Sequence, residues 1–182
     1  MRHYHFHLIT NKTDVLTDEQ LFELSDLLYE AGCDDGTVAV MNGTLYVTFD
    51  RESNSYENAV ISALKDIEKI DFLRVVSVDA GEWVGLTDAA ILSGITKSTL
   101  SRYSKGNRGS GGFPSPKRKI DSKNPLWKWS EIAAWLNAHG KASEELARSA
   151  EFTETINVSL QMRNVTFYQN AKELLGKLHQ AS

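Results

Sequence analysis

Cysteine is nearly absent from this chain: Cys33 stands alone among 182 residues. A lone thiol excludes an internal disulfide, so nothing here points to an oxidising compartment. Proline is scarce too, with three residues, all of them between 105 and 125. Long apolar runs are missing. No stretch approaches the ~18 consecutive apolar residues of a membrane-spanning helix, and the opening MRHYHFHLITNK lacks the uninterrupted apolar core of a secretory signal. The expectation is a soluble, cytoplasmic protein. A phosphate-cradling loop is also missing: the glycines at 106–112 open no helix and lack the Lys-Ser/Thr pair that follows in a P-loop. No catalytic constellation is found, and none is expected.

Charge is present but unevenly spread. The net charge of −4 argues at first against a nucleic-acid partner. Between Val84 and Ser130, however, nine cations (Lys97, Arg102, Lys105, Arg108, Lys117, Arg118, Lys119, Lys123 and Lys128) face only two anions, Asp88 and Asp121. That segment is +7 and the rest of the chain is −11. A basic block inside an acidic protein is the kind of local field that attracts a phosphate backbone.

The pattern of apolar residues predicts an α+β chain. Residues 3–9 alternate with period two, as a half-buried strand does. Thr17, with Gln20 three residues on, forms a capping-box signal for a helix over 18–31, closed by Gly32. Strands follow at 37–41 and 45–49, joined by Asn42-Gly43, the strongest short hairpin signal. Ser55 caps a helix over 55–69, and Phe72–Val78 reads as a last strand. The order βαββαβ within about 80 residues predicts a ferredoxin-like sandwich over 1–80.

Beyond a boundary at 80–85, Thr87 is the expected cap of a short helix ending near Ser93-Gly94, and Thr96 of another running to about Ser104. Residues 105–125 read as flexible loop or hairpin. Ser130 is the expected cap of a helix over 131–139, ended by Gly140. These elements make up a second domain over 84–140, followed by a helical tail over 141–182. The tail carries a seam of Ile156, Leu160, Arg163, Phe167, Ala171, Leu174 and Leu178, although 155–162 also alternates with period two. Helix is the expectation there, because no hairpin partner is near. The seam suits either packing within the chain or dimerisation.

Residues 86–103 fit a helix, a tight turn and a second helix. Ala90 is small where two helices would cross, Gly94 can take the positive φ of the turn, and Ile95 plugs the gap behind it. Leu100 and Tyr103 then face inward, while Lys97, Ser98, Ser101, Arg102 and Lys105 face outward. Ser93 departs from the pattern, standing where an aliphatic residue is usual. Residues 113–136, FPSPKRKIDSKNPLWKWSEIAAWL, add a Phe-Pro-x-Pro entry (Phe113, Pro114, Pro116), a basic hairpin, Trp127, and a helix from Ser130 to Leu136. Across about 86–138 this resembles the winged helix-turn-helix of the AlpA/excisionase and MerR-like group. The segments EAGCDD (30–35), Phe49-Asp50-Arg51-Glu52, AVISALKDI (59–67) and VGLTDAA (84–90) are further similar to bacterial proteins described only as DNA-binding.

The resemblance implies a DNA-binding protein, and with no catalytic constellation in the sequence no enzymatic activity is expected. The DNA-contacting residues would be Thr96 against a phosphate, Lys97, Ser98, Ser101, Arg102, Lys105, Asn107 and Arg108 in the major groove, and Lys117, Arg118, Lys119 and Lys123 on the wing. The expected partner is double-stranded DNA, bound by a homodimer that regulates transcription. The N-terminal domain would dimerise, or take a small-molecule or protein partner. An excisionase-like bending factor, an antitoxin-type regulator and a tethered nuclease are the alternatives. The His3, His5, His7 trio reads as a solvated or dimer-facing strand rather than a metal site. Cys33-Asp34-Asp35, with Asp50, reads as turn chemistry beside a buried, inert thiol. No cofactor is expected.

Overall fold

A computed structural model describes residues 1–13 and 16–179, so the last three residues of the tail lie outside the described residues. The described chain is α+β, with six strands and seven helices. It divides into two compact units, residues 1–79 with 155–182, and residues 80–154.

In the first unit the order is β1 (Arg2–Thr10), α1 (Asp18–Ala31), β2 (Gly36–Met41), β3 (Thr44–Ser53), α2 (Tyr56–Ile67) and β4 (Val75–Asp79). The strands form one antiparallel sheet in the order β2-β3-β1-β4. Alternation places Phe6, Leu8, Leu45, Val47 and Phe49 on the covered face, each no more than 1% exposed. Leu24 and Leu28 of α1, and Ala59, Val60, Ala63, Leu64 and Ile67 of α2, complete that core. Each large side chain so buried stabilises the unit by roughly 1.5–3 kcal/mol. Phe6 and Phe49 sit opposite each other in register, their rings stacked at 5.5 Å.

Local signals work as the sequence predicts. Thr17 and Gln20 exchange hydrogen bonds as a capping box. Gly32 closes α1 at φ 99°, and Asn42-Gly43 turns the β2–β3 hairpin with φ 53° and 76°. The last strand is shorter than expected. Turn hydrogen bonds from Ile70 to Ile67 and from Leu73 to Ile70 hold the chain curled, so pairing begins only at Val75 and Phe72 stays 53% exposed.

The second unit holds β5 (Trp83–Val84), α3 (Leu86–Ser93), α4 (Lys97–Ser104), β6 (Trp127–Lys128) and α5 (Trp129–Ala138), with residues 144–154 of α6 (Glu144–Met162). Two expected caps differ. Gly85, not Thr87, precedes α3, and Asp88 accepts the Gly85 amide at 3.2 Å. Ser130 lies inside α5, because Lys128 is paired to Trp83 and the Trp129 amide donates to Glu82, so the helix begins two residues earlier. The Ser130 hydroxyl is used instead on Glu154, at 2.5 Å.

Residues 141–182 are shared between the two units. The period-two stretch at 155–162 is helical, in α6. A break at Arg163-Asn164 splits the expected seam, and Asn164 caps α7 (Val165–His179) by accepting the Phe167 amide at 2.9 Å. In the first unit α6 also closes a sheet edge. The buried Asn157 amide accepts from the Val78 N–H at 2.7 Å and donates to the Val78 carbonyl at 3.0 Å, as a neighbouring strand would.

Candidate nucleic-acid interface

The second unit is built around a small core that fixes the angle of α4. Val84, Ala89, Leu100, Trp127, Trp129, Ile132, Ala133, Trp135 and Leu136 are buried together, with Tyr103 at 5% exposure. Ala89 is the fully buried small residue on α3, and Ala90 is half-buried against the same cluster. Gly94 takes φ 68°, the left-handed turn expected of it. The unusual Ser93 has a local explanation. Its hydroxyl donates to the Ala89 carbonyl at 2.6 Å and accepts the Ile95 amide at 3.2 Å, so it ties the turn with hydrogen bonds where an aliphatic residue would pack.

Thr96 caps α4, accepting the Thr99 amide at 3.3 Å. With Leu100 and Tyr103 anchored inward, helical spacing sets Lys97, Ser98, Ser101, Arg102 and Lys105 along the other side. All of these except half-buried Ser101 are exposed, as are Thr96, Asn107 and Arg108.

The stretch after α4 is irregular but pinned rather than loose. Phe113 packs against Tyr103 and Trp135, with ring centroids 6.3 and 5.1 Å away. The Trp135 indole donates to the Gly111 carbonyl at 3.1 Å, and the Trp127 indole to that of Pro114 at 3.0 Å. The tryptophans therefore hold the Phe-Pro-x-Pro segment down, which directs the chain into a short hairpin. Its arms meet at Arg118 and Leu126, and Lys119, the next residue, takes φ 49° where the loop between them begins.

The hairpin cations are not equivalent. Lys117 is ion-paired with Glu131, and Lys128 with Glu154. Burial alone would raise the Glu154 pKa, but hydrogen bonds from Lys128 and Ser130 outweigh it and hold the carboxyl below its usual range. Arg118 lies over the Trp83 ring at 3.9 Å, and Arg108 more loosely over Tyr103 at 5.8 Å. Among the described residues, Lys97, Arg102, Lys105, Lys119 and Lys123 make no ion pair, which leaves their charge fully available to a phosphate or a base edge.

The first unit contains a second polar centre that sequence reasoning missed. Arg51 is 8% exposed and its guanidinium is fully used. Nε and one Nη donate to both oxygens of Asp35 at 2.8 and 2.7 Å, the other Nη to Asp66 at 2.7 Å and to Ser62 at 3.1 Å, and a further bond reaches the Gly32 carbonyl at 3.0 Å. Burial alone would lower the Arg51 pKa, but its bonds to Asp35 and Asp66 hold it above the ordinary value. The three segments 30–35, 49–52 and 59–67 thus converge on one side chain. The only signal for this in the sequence is an arginine in a strand with carboxylates near two helix ends. Beside it, burial and the charge of Asp66 push the Cys33 thiol up to about 12, so it stays protonated and unreactive at neutral pH.

His3, His5 and His7 do lie on the open side of β1. His3 is 3.6 Å from Asp50, and His7 Nδ1 is 2.7 Å from the Thr48 hydroxyl. Among the described residues no group of three His, Cys, Asp or Glu is arranged to hold a metal, and no helix is long and apolar enough to cross a membrane. No family model matches this chain, and comparison with curated proteins and with solved structures found no match.

Proposed function

We propose that this protein binds double-stranded DNA sequence-specifically, with α4 as a major-groove recognition helix and the 117–126 hairpin as a basic wing. The observation that carries the reading is the two-sided character of α4. Leu100 and Tyr103 are buried, while Lys97, Ser98, Arg102 and Lys105 are exposed, with no intramolecular ion pair on those cations among the described residues. The left-handed turn at Gly94 supports it, and the motifs at 86–138 that resemble a winged helix-turn-helix are in keeping with it. The βαββαβ order and β2-β3-β1-β4 sheet support a ferredoxin-like first unit. On this reading the protein is a homodimeric transcriptional regulator of the bacterial cytoplasm, with the first unit dimerising or binding an effector.

Arg102 and the hairpin lysines have separable roles. A bidentate contact from Arg102 to guanine is worth ~1–3 kcal/mol of discrimination. Lys119 and Lys123 add affinity through phosphate contacts, each contributing about 0.9 to the salt slope. Arg102→Ala should therefore weaken binding to a preferred duplex roughly 5- to 150-fold while leaving random duplex nearly unaffected. Lys119→Ala should weaken both alike. Lys117→Ala should do less than Lys119→Ala, since Glu131 already holds Lys117. Fluorescence anisotropy across a salt series reads all three, and an Arg102→Ala protein with intact sequence preference would remove α4 as the reader.

A further inference from the structure

No residue of α7 is buried, yet the helix is amphipathic. Phe167, Ala171, Leu174 and Leu178 recur at alternating steps of four and three, and Tyr168 and Leu175 flank them on one side. Phe167 is 47% exposed, Tyr168 45%, Leu174 58%, Leu175 52% and Leu178 68%. The opposite side carries Gln169 and Glu173. One contiguous stripe of this kind leaves roughly 600 Å² of apolar surface in water, the upper end of what a lone soluble chain shows.

We propose that α7 associates with α7 of a second copy of this chain. Two observations select a second copy as the occupant. Facing stripes would bury on the order of 1,200 Å² in total, which reaches the size of a stable specific interface. Charge also favours it. Residues 1–79 carry six cations against fifteen anions, so two copies meeting through that part of the unit would bring like charges together. Residues 155–182 carry three cations and one anion, and none of the stripe positions is charged. The stripe is thus the part of the first unit where two copies can approach without that repulsion. Its spacing suits an isologous contact, the same residues on both partners, closing as a two-fold dimer. For its purpose the proposal rests on the homodimeric-regulator reading above.

The test uses the full chain without DNA. Sedimentation equilibrium at about 10 μM should give a dimer. Leu174→Asp/Leu178→Asp should give a monomer of unchanged helical ellipticity, because both side chains are exposed in the single chain, and its thermal midpoint should no longer rise with protein concentration as the wild type's does. A second measurement works from the folded dimer. Ala171→Cys, at the centre of the stripe, should form a disulfide-linked dimer on mild oxidation, whereas Gln169→Cys on the opposite side should not; buried Cys33 stays silent. A monomeric wild type, a double variant that remains dimeric, or equal cross-linking at 169 and 171 would overturn the proposal. DNA binding is scored separately: if the double variant becomes monomeric and neither protein retains any duplex, the interface stands and the DNA reading fails.

Discussion

Arg51 is the residue whose role is clearest from contacts and least visible from sequence. Its partners Asp35 and Asp66 are 16 and 15 positions away. No local rule links them; the sheet and the C-terminal half of α2 bring them together. Removing the arginine leaves Asp35 without its cation and Asp66 with Lys69 alone, and the two carboxylates are only 26% and 20% exposed. Arg51→Ala should therefore cost about 3 kcal/mol of unfolding free energy by urea titration, the low end for a broken buried pair because both carboxylates keep some water. A loss below about 1 kcal/mol would mean that the carboxylates rehydrate freely and that the cluster contributes little to folding. By contrast, Thr17, Thr96 and Asn42-Gly43 act through neighbours within three residues, and their roles are legible for that reason. Thr87 and Ser130 misled because a capping residue type also fits inside a first turn. Ser130 is drawn to Glu154, 24 positions away, a pairing that spacing does not reveal, whereas Asp88 has capping-box spacing from Gly85 but a glycine offers no side chain to mark the cap.

Among elements, the α3–turn–α4 block was readable because periodicity, a glycine and an inward pair all specify the same geometry. Two glycines, Gly94 in the turn and Gly81 ahead of β5, separate backbone strain from crowding against α3. Gly94 has φ 68° and open space where a Cβ would sit, so Gly94→Ala should cost only the left-handed penalty of ~1–2 kcal/mol. Gly81 has φ 80°, and an added Cβ would lie 2.5 Å from Leu92 Cδ1 on α3. Gly81→Ala should cost more than Gly94→Ala, by roughly a further 1 kcal/mol as Leu92 leaves its rotamer. Thermal unfolding of the two variants checks the order, and equal losses would place Leu92 in a looser pocket. The 105–125 segment was less legible. Composition suggests a flexible loop, yet the indoles of Trp127 and Trp135 and the Phe113 ring fasten it, contacts set by aromatic packing across the unit.

Across the whole molecule, charge is partitioned along the same division as structure. The unit 80–154 carries eleven cations against eight anions, and the other carries nine against sixteen. On the DNA-binding reading proposed above, the basic unit is the one whose charge favours a phosphate backbone. The seam in the tail was visible as a pattern, but its exposure was not. Spacing alone cannot distinguish a stripe that packs within its own chain from one left uncovered, and the break at Asn164 leaves Leu160 buried while Phe167, Leu174 and Leu178 stay in water. The central claim, that α4 reads DNA sequence, is tested most directly by selecting bound molecules from a library of random duplexes with the wild type and with Arg102→Ala in parallel. The account predicts a shared motif among sequences recovered by the wild type, and loss of that motif with Arg102→Ala while bulk duplex is still retained. Recovery of no motif by the wild type, or of the same motif by both proteins, would contradict it.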